Sequence, residues 1–171
     1  MDYKKYIHIV EDFPSPGISF KDISPLLSTP GIMAAAAKDI AAKIKTRNLD
    51  MVVGIESRGF ILGPMIAAEL NVGFVMARKV GKLPPPYIET EEYKLEYGYA
   101  RLCLPTISIK KGMRIHIHDD VLATGGTVKS VIDCLIKNNC IVDSCSFIID
   151  LSFLNGAEKL KPIPLFSLID Y

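Results

Sequence analysis

Residues 114–127 have the sequence RIHIHDDVLATGGT, and this stretch indicates the fold more clearly than any other. Alternating apolar residues over 114–118 predict a strand, and the small residues 124–127 predict a tight turn before a helix over about 127–137. Glycines let a ligand approach the main chain, and a helix N-terminus attracts anions. The stretch therefore predicts a strand–turn–helix unit whose turn binds a dianionic phosphate; the alternative is a plain turn before a helix.

Two adjacent carboxylates, Asp119 and Asp120, come one and two residues after this predicted strand. Their side chains are expected to diverge, since neighbouring residues point to opposite sides of an extended chain. Carboxylates repel a phosphate, but they accept hydrogen bonds from sugar hydroxyls or hold a divalent cation through water. A phosphorylated ribose satisfies both parts of the stretch. The turn matches neither G-x-x-x-x-G-K-[ST] nor G-x-G-x-x-G, which argues against an NTPase or a dinucleotide-binding protein.

The alternation of strands and helices continues on both sides of this stretch. Residues 51–55 form a short unbroken apolar run, which is typical of a strand buried on both faces of a parallel sheet. The other predicted elements are a helix over 30–47 with Thr29 as its N-cap, a helix over 60–70, and strands over 73–77 and 142–149. This order predicts an α/β fold, a mostly parallel twisted sheet with helices on both faces. Ligands of such folds bind at the carboxyl ends of the strands, here after Ile55, Ala77 and His118.

One segment differs in composition from the rest. Residues 83–101 contain three consecutive prolines, four glutamates and four tyrosines, which is too polar and too interrupted for a core element. We interpret this segment as a mobile flap; the alternative is an inert surface excursion. At 171 residues, and with about 150 residues in an average domain, the chain is expected to form one domain over residues 1–171.

The composition excludes several classes of protein. The chain has 20 Lys and Arg against 19 Asp and Glu, a net charge of +1, so no general field for nucleic acid or anionic membranes is expected. The N-terminal stretch lacks the apolar core of a signal peptide, and no apolar run is long enough to cross a bilayer. We therefore expect a cytoplasmic protein that binds neither nucleic acid nor membrane. The four cysteines form no C-x-x-C pair and are expected to be reduced, buried thiols.

Residues 117–127 resemble the phosphoribosyl-diphosphate motif of the type I phosphoribosyltransferases. Further segments resemble the adenine-specific members: DFPSPGISFKDISPLL from Asp12, GIESRGFILG from Gly54, ARKVGKLP from Ala77, LEYG from Leu95 and FSLIDY at the end. The resemblance covers nearly the whole chain. It implies transfer of the 5-phosphoribosyl group from phosphoribosyl diphosphate to N9 of adenine, giving AMP and diphosphate, with Mg²⁺ as cofactor, by a homodimer. It also implies an N-terminal hood over roughly residues 1–30 and a flap over roughly 83–101.

The same resemblance implies a set of site residues. Phosphoribosyl diphosphate and AMP would be bound by Asp119, Asp120, Ala123, Thr124, Gly125, Gly126, Thr127, Glu56, Ser57, Arg58, Arg78, Lys79 and Lys82. Adenine would be bound by Ser19, Phe20 and Lys21, and catalysis would use Glu96, Arg58 and Tyr97. Mg²⁺ would be held mainly through substrate and water, with Asp119 or Asp120 as the candidate protein ligand. A cis peptide bond is expected between Glu56 and Ser57.

Several residues depart from the family pattern or allow a second interpretation. Lys21 stands where the family often has arginine, and Tyr99 where many members have lysine, so contacts from these side chains are expected to differ. Phe20 either stacks on adenine or packs in the core. His116 and His118 share one face of the predicted strand, where they either bind metal with the acidic pair or form hydrogen bonds beneath the site and add pH sensitivity.

Two other functions fit the phosphoribosyl motif. One is transfer to a 6-oxopurine such as hypoxanthine, guanine or xanthine. The other is a non-enzymatic regulator that senses phosphoribosyl diphosphate while it binds nucleic acid, but the net charge of +1 provides no basic face for such binding.

Overall fold

The computed structural model describes residues 1–44, 48–94 and 99–171. In these residues the strands are β1 (His8–Val10), β2 (Phe20–Asp22), β3 (Met51–Ile55), β4 (Gly73–Lys79), β5 (Tyr87–Glu89), β6 (Tyr93–Lys94), β7 (Tyr99–Ala100), β8 (Leu102–Pro105), β9 (Arg114–Leu122), β10 (Ile141–Asp150) and β11 (Leu165–Asp170). The helices are α1 (Ser24–Ser28), α2 (Ile32–Ile44), α3 (Gly59–Leu70), α4 (Gly126–Lys137) and α5 (Gly156–Leu160), with 3₁₀ turns at Tyr3–Tyr6 and Ser152–Leu154.

The central sheet has the strand order β11-β10-β9-β3-β4-β8-β5. The strands from β11 to β4 are parallel to one another, while β8 is antiparallel to both β4 and β5. Helices cover both faces. Strand β3 is buried on both faces. Val52 packs into the core cluster under α2 and α3, and its neighbour Val53 packs into the cluster under α4. The predicted α/β fold, a mostly parallel sheet with helices on both faces, is confirmed.

The structure corrects the predicted bounds of β9 and α2. Strand β9 runs on to Leu122, so Asp119 and Asp120 lie inside the strand and not after it; β9 remains paired with β10 to its end, whereas its pairing with β3 stops at His118. Helix α2 begins at Ile32 and not at residue 30, because Gly31 has a positive φ of 82° and Thr29 caps the end of α1. The predicted end of α2 at residue 47 lies outside the described residues.

The two edges of the central sheet also differ from the prediction. The strand predicted over 142–149, the last one predicted, is not the last of the sheet, because β11 pairs with β10 in parallel at one edge. At the other edge, β5 belongs to the central sheet although it comes from the segment expected to be a flap. Thr90 and Tyr93 of that segment are also buried, at 3% and 9% exposure. Part of the proline- and tyrosine-rich segment is therefore packed structure.

Two small antiparallel hairpins lie beside the central sheet. Strands β1 and β2 pair with the register Val10 to Phe20, and β6 and β7 pair with the register Tyr93 to Ala100. All four cysteines are buried free thiols, as predicted. No helix in the described ranges is long and apolar enough to span a bilayer.

Candidate active site

The loops after β3, β4 and β9 meet at one edge of the sheet, because the three strands are neighbours and run in the same direction. Helix α3 approaches β9 closely there. A Cβ on Gly59, the first residue of α3, would lie 2.7 Å from the His118 carbonyl oxygen and 3.2 Å from Asp119 Oδ1. Only a glycine lets the helix start so near the acidic pair. Sequence reasoning missed this residue.

The loop after β9, where the sequence predicts a phosphate site, borders a cavity. The cavity has a volume of about 80 Å³ and is lined by Asp119, Val121, Leu122, Ala123, Thr124, Gly125, Gly126, Thr127 and Val128. We call residues 123–127 the cradle. Gly125 has φ of 76° and ψ of −2°, a left-handed conformation that aims the first turn of α4 at the cavity. The unpaired amides of a helix N-terminus are the donors that an oxyanion prefers.

A second glycine, Gly156 at the start of α5, holds the cradle from behind. A Cβ on Gly125 would lie 2.7 Å from the Gly156 carbonyl oxygen, and a Cβ on Gly156 would lie 2.1 Å from the Ala123 carbonyl oxygen. The two turns are thus packed main chain against main chain. Gly156 is not among the predicted site residues; its signal in the sequence is the turn-forming pair Asn155–Gly156 after the last predicted strand.

The acidic side chains diverge, as predicted. Asp119 lines the cradle cavity, and its Oδ1 accepts a hydrogen bond of 2.9 Å from the Asp120 amide. Asp120 points to the other face, where its Oδ2 pairs with Nε of Arg58. Burial, and then the neighbouring charge of Asp120, raise the pKa of Asp119 well above its usual value. The charged form of Asp119 is therefore less favourable than that of an exposed aspartate.

Arg58 connects the acidic pair to the N-terminal hairpin. Its guanidinium lies 6.0 Å from the centroid of the Phe20 ring, and the Phe13 ring meets Phe20 edge-on with centroids 5.3 Å apart. Phe20 is half-buried and belongs to neither of the two core clusters among the described residues. These contacts favour a place for Phe20 in the site over a place in the core.

The Lys21 side chain has partners of its own. Its Nζ donates a hydrogen bond of 2.6 Å to Ser19 Oγ, which in turn donates one of 3.0 Å to Glu11 Oε1. The same ammonium lies 5.0 Å from the ring centroid of the C-terminal Tyr171. Lys21 therefore connects the hairpin to the C-terminus of the chain.

A second group of predicted residues meets around Glu56, and we call Glu56, Arg78 and Lys82 the basic cluster. Glu56 Oε2 lies 3.6 Å from Arg78 Nε, and Glu56 Oε1 lies 3.6 Å from Lys82 Nζ. Burial raises the pKa of Glu56, but the hydrogen bond from the Lys79 amide and the charges of Lys82 and Arg78 outweigh it, so the pKa is lowered. Glu56 thus remains charged and orients two cations.

Ser57 and Lys79 lie next to the basic cluster. The peptide bond between Glu56 and Ser57 is cis, as expected. The Lys79 amide donates a hydrogen bond of 2.9 Å to Glu56 Oε2. Lys79 also lines a second cavity of about 310 Å³, together with Val80, Glu92, Tyr99, Ala100 and Arg101. Lys79 therefore lies next to both the basic cluster and this second cavity.

The two remaining predicted catalytic residues, Glu96 and Tyr97, lie outside the described residues. In sequence they fall between β6 and β7, which pair with each other. Their roles stay predictions.

The two histidines form a buried hydrogen-bonded chain beneath the site. His116 lies 2.8 Å from Ser144 Oγ through Nδ1 and 2.7 Å from Ser146 Oγ through Nε2, and His118 Nδ1 lies 2.9 Å from the same Ser146 oxygen. Both histidines are fully buried, and His118 Nε2 has no hydrogen-bond partner. Burial lowers the pKa of His118 to about 3, so its imidazole is neutral near pH 7. The predicted hydrogen bonds are confirmed, but His118 does not titrate near neutral pH.

Comparison with known proteins agrees with this geometry. Residues 22–163 match the family model described as the phosphoribosyl transferase domain. Adenine phosphoribosyltransferase of Methanococcus vannielii is 45% identical over 171 residues, which is 100% of this chain and 98% of the relative. This chain belongs to the adenine phosphoribosyltransferase family.

Solved structures of the family have the same fold. The adenine phosphoribosyltransferase of Thermoanaerobacter pseudethanolicus superposes with a TM-score of 0.92 at 39% identity, covering 98% of this chain and 97% of that one. The Trypanosoma brucei adenine phosphoribosyl transferase, in complex with AMP, pyrophosphate and ribose-5-phosphate, superposes with a TM-score of 0.89 at 28% identity, covering 98% of this chain and 78% of that one. The type I phosphoribosyltransferase fold expected from the sequence is thereby confirmed.

Proposed function

We propose that this chain transfers the 5-phosphoribosyl group of phosphoribosyl diphosphate to N9 of adenine, giving AMP and diphosphate. One observation carries the proposal: a main-chain phosphate cradle, an acidic pair and a cation-bearing loop lie together at the carboxyl edge of one sheet. Each part matches one part of phosphoribosyl diphosphate. The AMP, pyrophosphate and ribose-5-phosphate held by the Trypanosoma brucei relative agree with the same substrates and products.

The cradle, Ala123, Thr124, Gly125, Gly126 and Thr127, binds the 5-phosphate through amides and hydroxyls. Asp119 and Asp120 accept hydrogen bonds from the ribose hydroxyls. The diphosphate lies against the loop Glu56, Ser57 and Arg58 and the cations Arg78, Lys79 and Lys82, since guanidinium and ammonium groups suit its oxygens. Arg58 is 48% exposed and keeps donors free beyond its bond to Asp120.

Adenine stacks on Phe20, with the main chain around Ser19 and Lys21 along its edge. Main-chain N–H and C=O groups match the donor and acceptor pattern of adenine. The Lys21 ammonium takes no part in this contact, because it is bound to Ser19 and lies over Tyr171.

Mg²⁺ fits this site as an ion that arrives with the substrate. Asp119 and Asp120 offer the carboxylate oxygens that Mg²⁺ prefers, but Asp120 is paired with Arg58. Among the described residues, no group of three His, Cys, Asp or Glu is placed to hold a metal ion. Substrate oxygens and water would supply most of its ligands. When bound, Mg²⁺ adds positive charge that offsets the charge on diphosphate.

In the reaction, the bond between C1 of the ribose and the diphosphate oxygen breaks, and the bond between C1 and N9 of adenine forms. Positive charge develops on the ribose ring and negative charge on the diphosphate, as in glycoside cleavage. The basic cluster and Arg58 stabilise the departing anion. Glu96 accepts the proton that adenine loses from its imidazole ring, and Tyr97 helps to exclude water, which would otherwise attack C1.

We also propose how the chain is organised into domains and subunits. The chain is one domain, with a hood over roughly residues 1–30 and a flap over roughly 83–101, and it acts as a homodimer in the cytoplasm. Sedimentation of the purified protein tests the dimer: a single monomer species at working concentration would contradict it.

The direct test is an assay with phosphoribosyl diphosphate and Mg²⁺ and each purine in turn. We expect AMP and diphosphate from adenine. Turnover of hypoxanthine without adenine would instead indicate a 6-oxopurine enzyme. Salt-sensitive nucleic-acid binding without any diphosphate release would indicate a regulator.

Glu96→Gln tests the proton acceptor. It should lower kcat at least tenfold, because an amide cannot take the proton, with the KM values changed little. Glu92→Gln is the matched control, since Glu92 is an exposed carboxylate of the same segment. An unchanged kcat in Glu96→Gln would remove Glu96 from the chemistry.

A further inference from the structure

The N-terminal hairpin of β1 and β2 carries Phe20 on strands that are not buried. None of the six residues in these two strands is buried. Phe20 and Lys21 are neighbours in β2, so their side chains point to opposite faces of the hairpin. The Phe20 ring faces the Arg58 guanidinium, whereas the Lys21 ammonium lies 5.0 Å from the ring centroid of Tyr171. The hairpin is therefore contacted on both faces.

The Tyr171 ring is a fixed partner for Lys21. The Tyr171 amide donates a hydrogen bond of 3.0 Å to the Asp150 carbonyl oxygen, and the Tyr171 carbonyl oxygen accepts one of 3.0 Å from the Ser152 amide. These bonds continue the pairing of β11 with β10 beyond the end of both strands. Tyr171 thus lies at the carboxyl edge of the central sheet, where its ring attracts an ammonium through its π electrons.

The Lys21 ammonium also holds the two arms of the hairpin together. It donates a hydrogen bond of 2.6 Å to Ser19 Oγ, and the Ser19 hydroxyl donates its own proton to Glu11 Oε1 at 3.0 Å. The hydroxyl lies between a cation and a carboxylate, and hydrogen bonds to charged partners are stronger than neutral ones. Glu11 follows β1 and Ser19 precedes β2, so one ammonium connects both arms to Tyr171.

We propose that Lys21 and Tyr171 are positioning residues of the adenine site. The Lys21 ammonium, bound to Ser19 and placed over the Tyr171 ring, holds the hairpin against the edge of the sheet. The Phe20 ring on the other face of β2, and the main chain around Ser19, are thereby kept in place for the base. This inference rests on the proposed function for the identity of the base. Neither positioning side chain touches adenine.

Lys21→Met tests the cation. It keeps the length of the side chain and removes the charge, so adenine binding, measured by calorimetry, should weaken about fivefold, the size expected for one partly exposed cation–π contact. Ribose 5-phosphate binding should stay within about twofold, because the cradle does not contact the hairpin. Lys21→Arg should restore adenine affinity, since a guanidinium also stacks on an aromatic ring and donates hydrogen bonds.

Two substitutions of Tyr171 test the ring. Tyr171→Phe keeps the aromatic face and should bind adenine within about twofold of wild type, whereas Tyr171→Leu should lose about fivefold. The double variant Lys21→Met, Tyr171→Leu should lose less than about twofold beyond Lys21→Met alone, because both substitutions remove the same contact. Fully additive losses would overturn the proposal.

Lys4→Met is the matched control. Lys4 Nζ lies 4.9 Å from the same Tyr171 ring centroid, but Lys4 belongs to the 3₁₀ turn Tyr3–Tyr6. That turn is anchored by Tyr3, which is 3% exposed and donates a hydrogen bond of 2.6 Å to Asp39. Adenine affinity in Lys4→Met should stay within about twofold of wild type. A loss equal to that of Lys21→Met would overturn the proposal, because general packing around the ring would then explain it.

Amide hydrogen exchange in β2 gives a readout that does not need adenine. Exchange there should be at least about threefold faster in Lys21→Met and Tyr171→Leu than in wild type, since the hairpin is held less firmly. The proposal is overturned if Lys21→Met binds adenine as wild type does, or if exchange in β2 is unchanged in both variants. Failure of the proposed function is a separate result: the wild-type protein would not convert adenine, while the exchange rates would still show whether Lys21 holds the hairpin.

Discussion

Two regions lie at the same edge of the sheet: the cradle at residues 123–127 and the basic cluster of Glu56, Arg78 and Lys82. They differ in the chemical groups that they offer to a ligand. The cradle offers main-chain amides and hydroxyls, and it contains no cationic side chain. The basic cluster offers two cations held by a buried carboxylate. We therefore expect binding in the cradle to depend on shape and binding at the basic cluster to depend on charge.

This difference matches the two phosphate groups of the proposed substrate. The 5-phosphate stays on the sugar throughout the reaction, so a rigid site suits it. The diphosphate leaves and gains charge as it does so, and cations stabilise that change. Substitutions that alter volume should affect the cradle, and substitutions that alter charge should affect the basic cluster.

The largest effect is expected from Gly125→Val. A side chain at φ 76° is strained, and its Cβ would lie 2.7 Å from the Gly156 carbonyl oxygen, so the cradle must deform. We expect the ribose 5-phosphate affinity to fall more than about 100-fold, while the affinity for Mg-diphosphate changes little. Calorimetric titration with each ligand measures both.

Gly112→Val is the matched control for strain. Gly112 has a similar φ of 83°, but a Cβ there meets nothing within 4 Å. The control should lose stability and keep its ribose 5-phosphate affinity. Equal losses of affinity in the two variants would mean that strain, and not the shape of the cradle, explains the result.

Acid should destabilise the fold in two steps, the first caused by His118 beneath the site and the second by Glu56 of the basic cluster. The folded His118 imidazole stays neutral down to a pKa of about 3, whereas in the unfolded chain it takes a proton near the usual value of 6.5. Stability is therefore complete above pH 6.5 and falls as the pH drops from 6.5 toward 3, with a loss of about 2 kcal/mol by pH 5. Glu56 acts in the same direction but at lower pH: because its pKa is lowered from the usual value of 4.5, its charge stabilises the fold above that pH, and this contribution is lost as the pH falls further.

Urea unfolding at pH 7.5, 6 and 5 measures this effect. His118→Leu has no imidazole at this position, so its free energy of unfolding should change less over the same pH range. If wild type and variant lose the same free energy between pH 6.5 and pH 5, His118 is not the cause.

The smallest effect is expected from Lys82→Met. Lys82 is 57% exposed, so solvent screens its charge, and we expect the Mg-diphosphate affinity to fall about fivefold. Ribose 5-phosphate binding should not change. Lys111→Met, which removes an exposed lysine before the opposite end of β9, is the control. A loss of ribose 5-phosphate affinity in Lys82→Met would contradict the division between the two regions.

The sequence predicted the parts of the fold that depend on local pattern. Strand β3 was predicted with its observed bounds, because an unbroken apolar run between polar residues leaves few alternatives. The end of β9 was wrong because strand length depends on the neighbour: β10 continues beside Asp119 and Leu122 after β3 has ended. No local signal contains that information.

For the site, too, the sequence predicted what depends on local pattern and missed what depends on contacts between distant segments. The residues of the cradle and the basic cluster lie at strand ends or just after them, so their meeting follows from a parallel sheet. Gly156 was missed because it reaches the cradle across about 30 residues of chain, through main-chain contacts that no motif records. The pairing of Arg58 with Asp120 also needed the structure, since both side chains were expected to face ligand.

The contact between Gly125 and Gly156 has a consequence for protein engineering. Grafting residues 119–127 onto another parallel α/β scaffold would transfer the sequence of the loop without the surface that shapes it. A recipient with any side chain opposite Ala123 would collide with the graft, given the 2.1 Å that separates a Cβ at Gly156 from the Ala123 carbonyl oxygen. The transferable module is therefore two segments, the loop and the Asn155–Gly156 turn, and they have to be moved together.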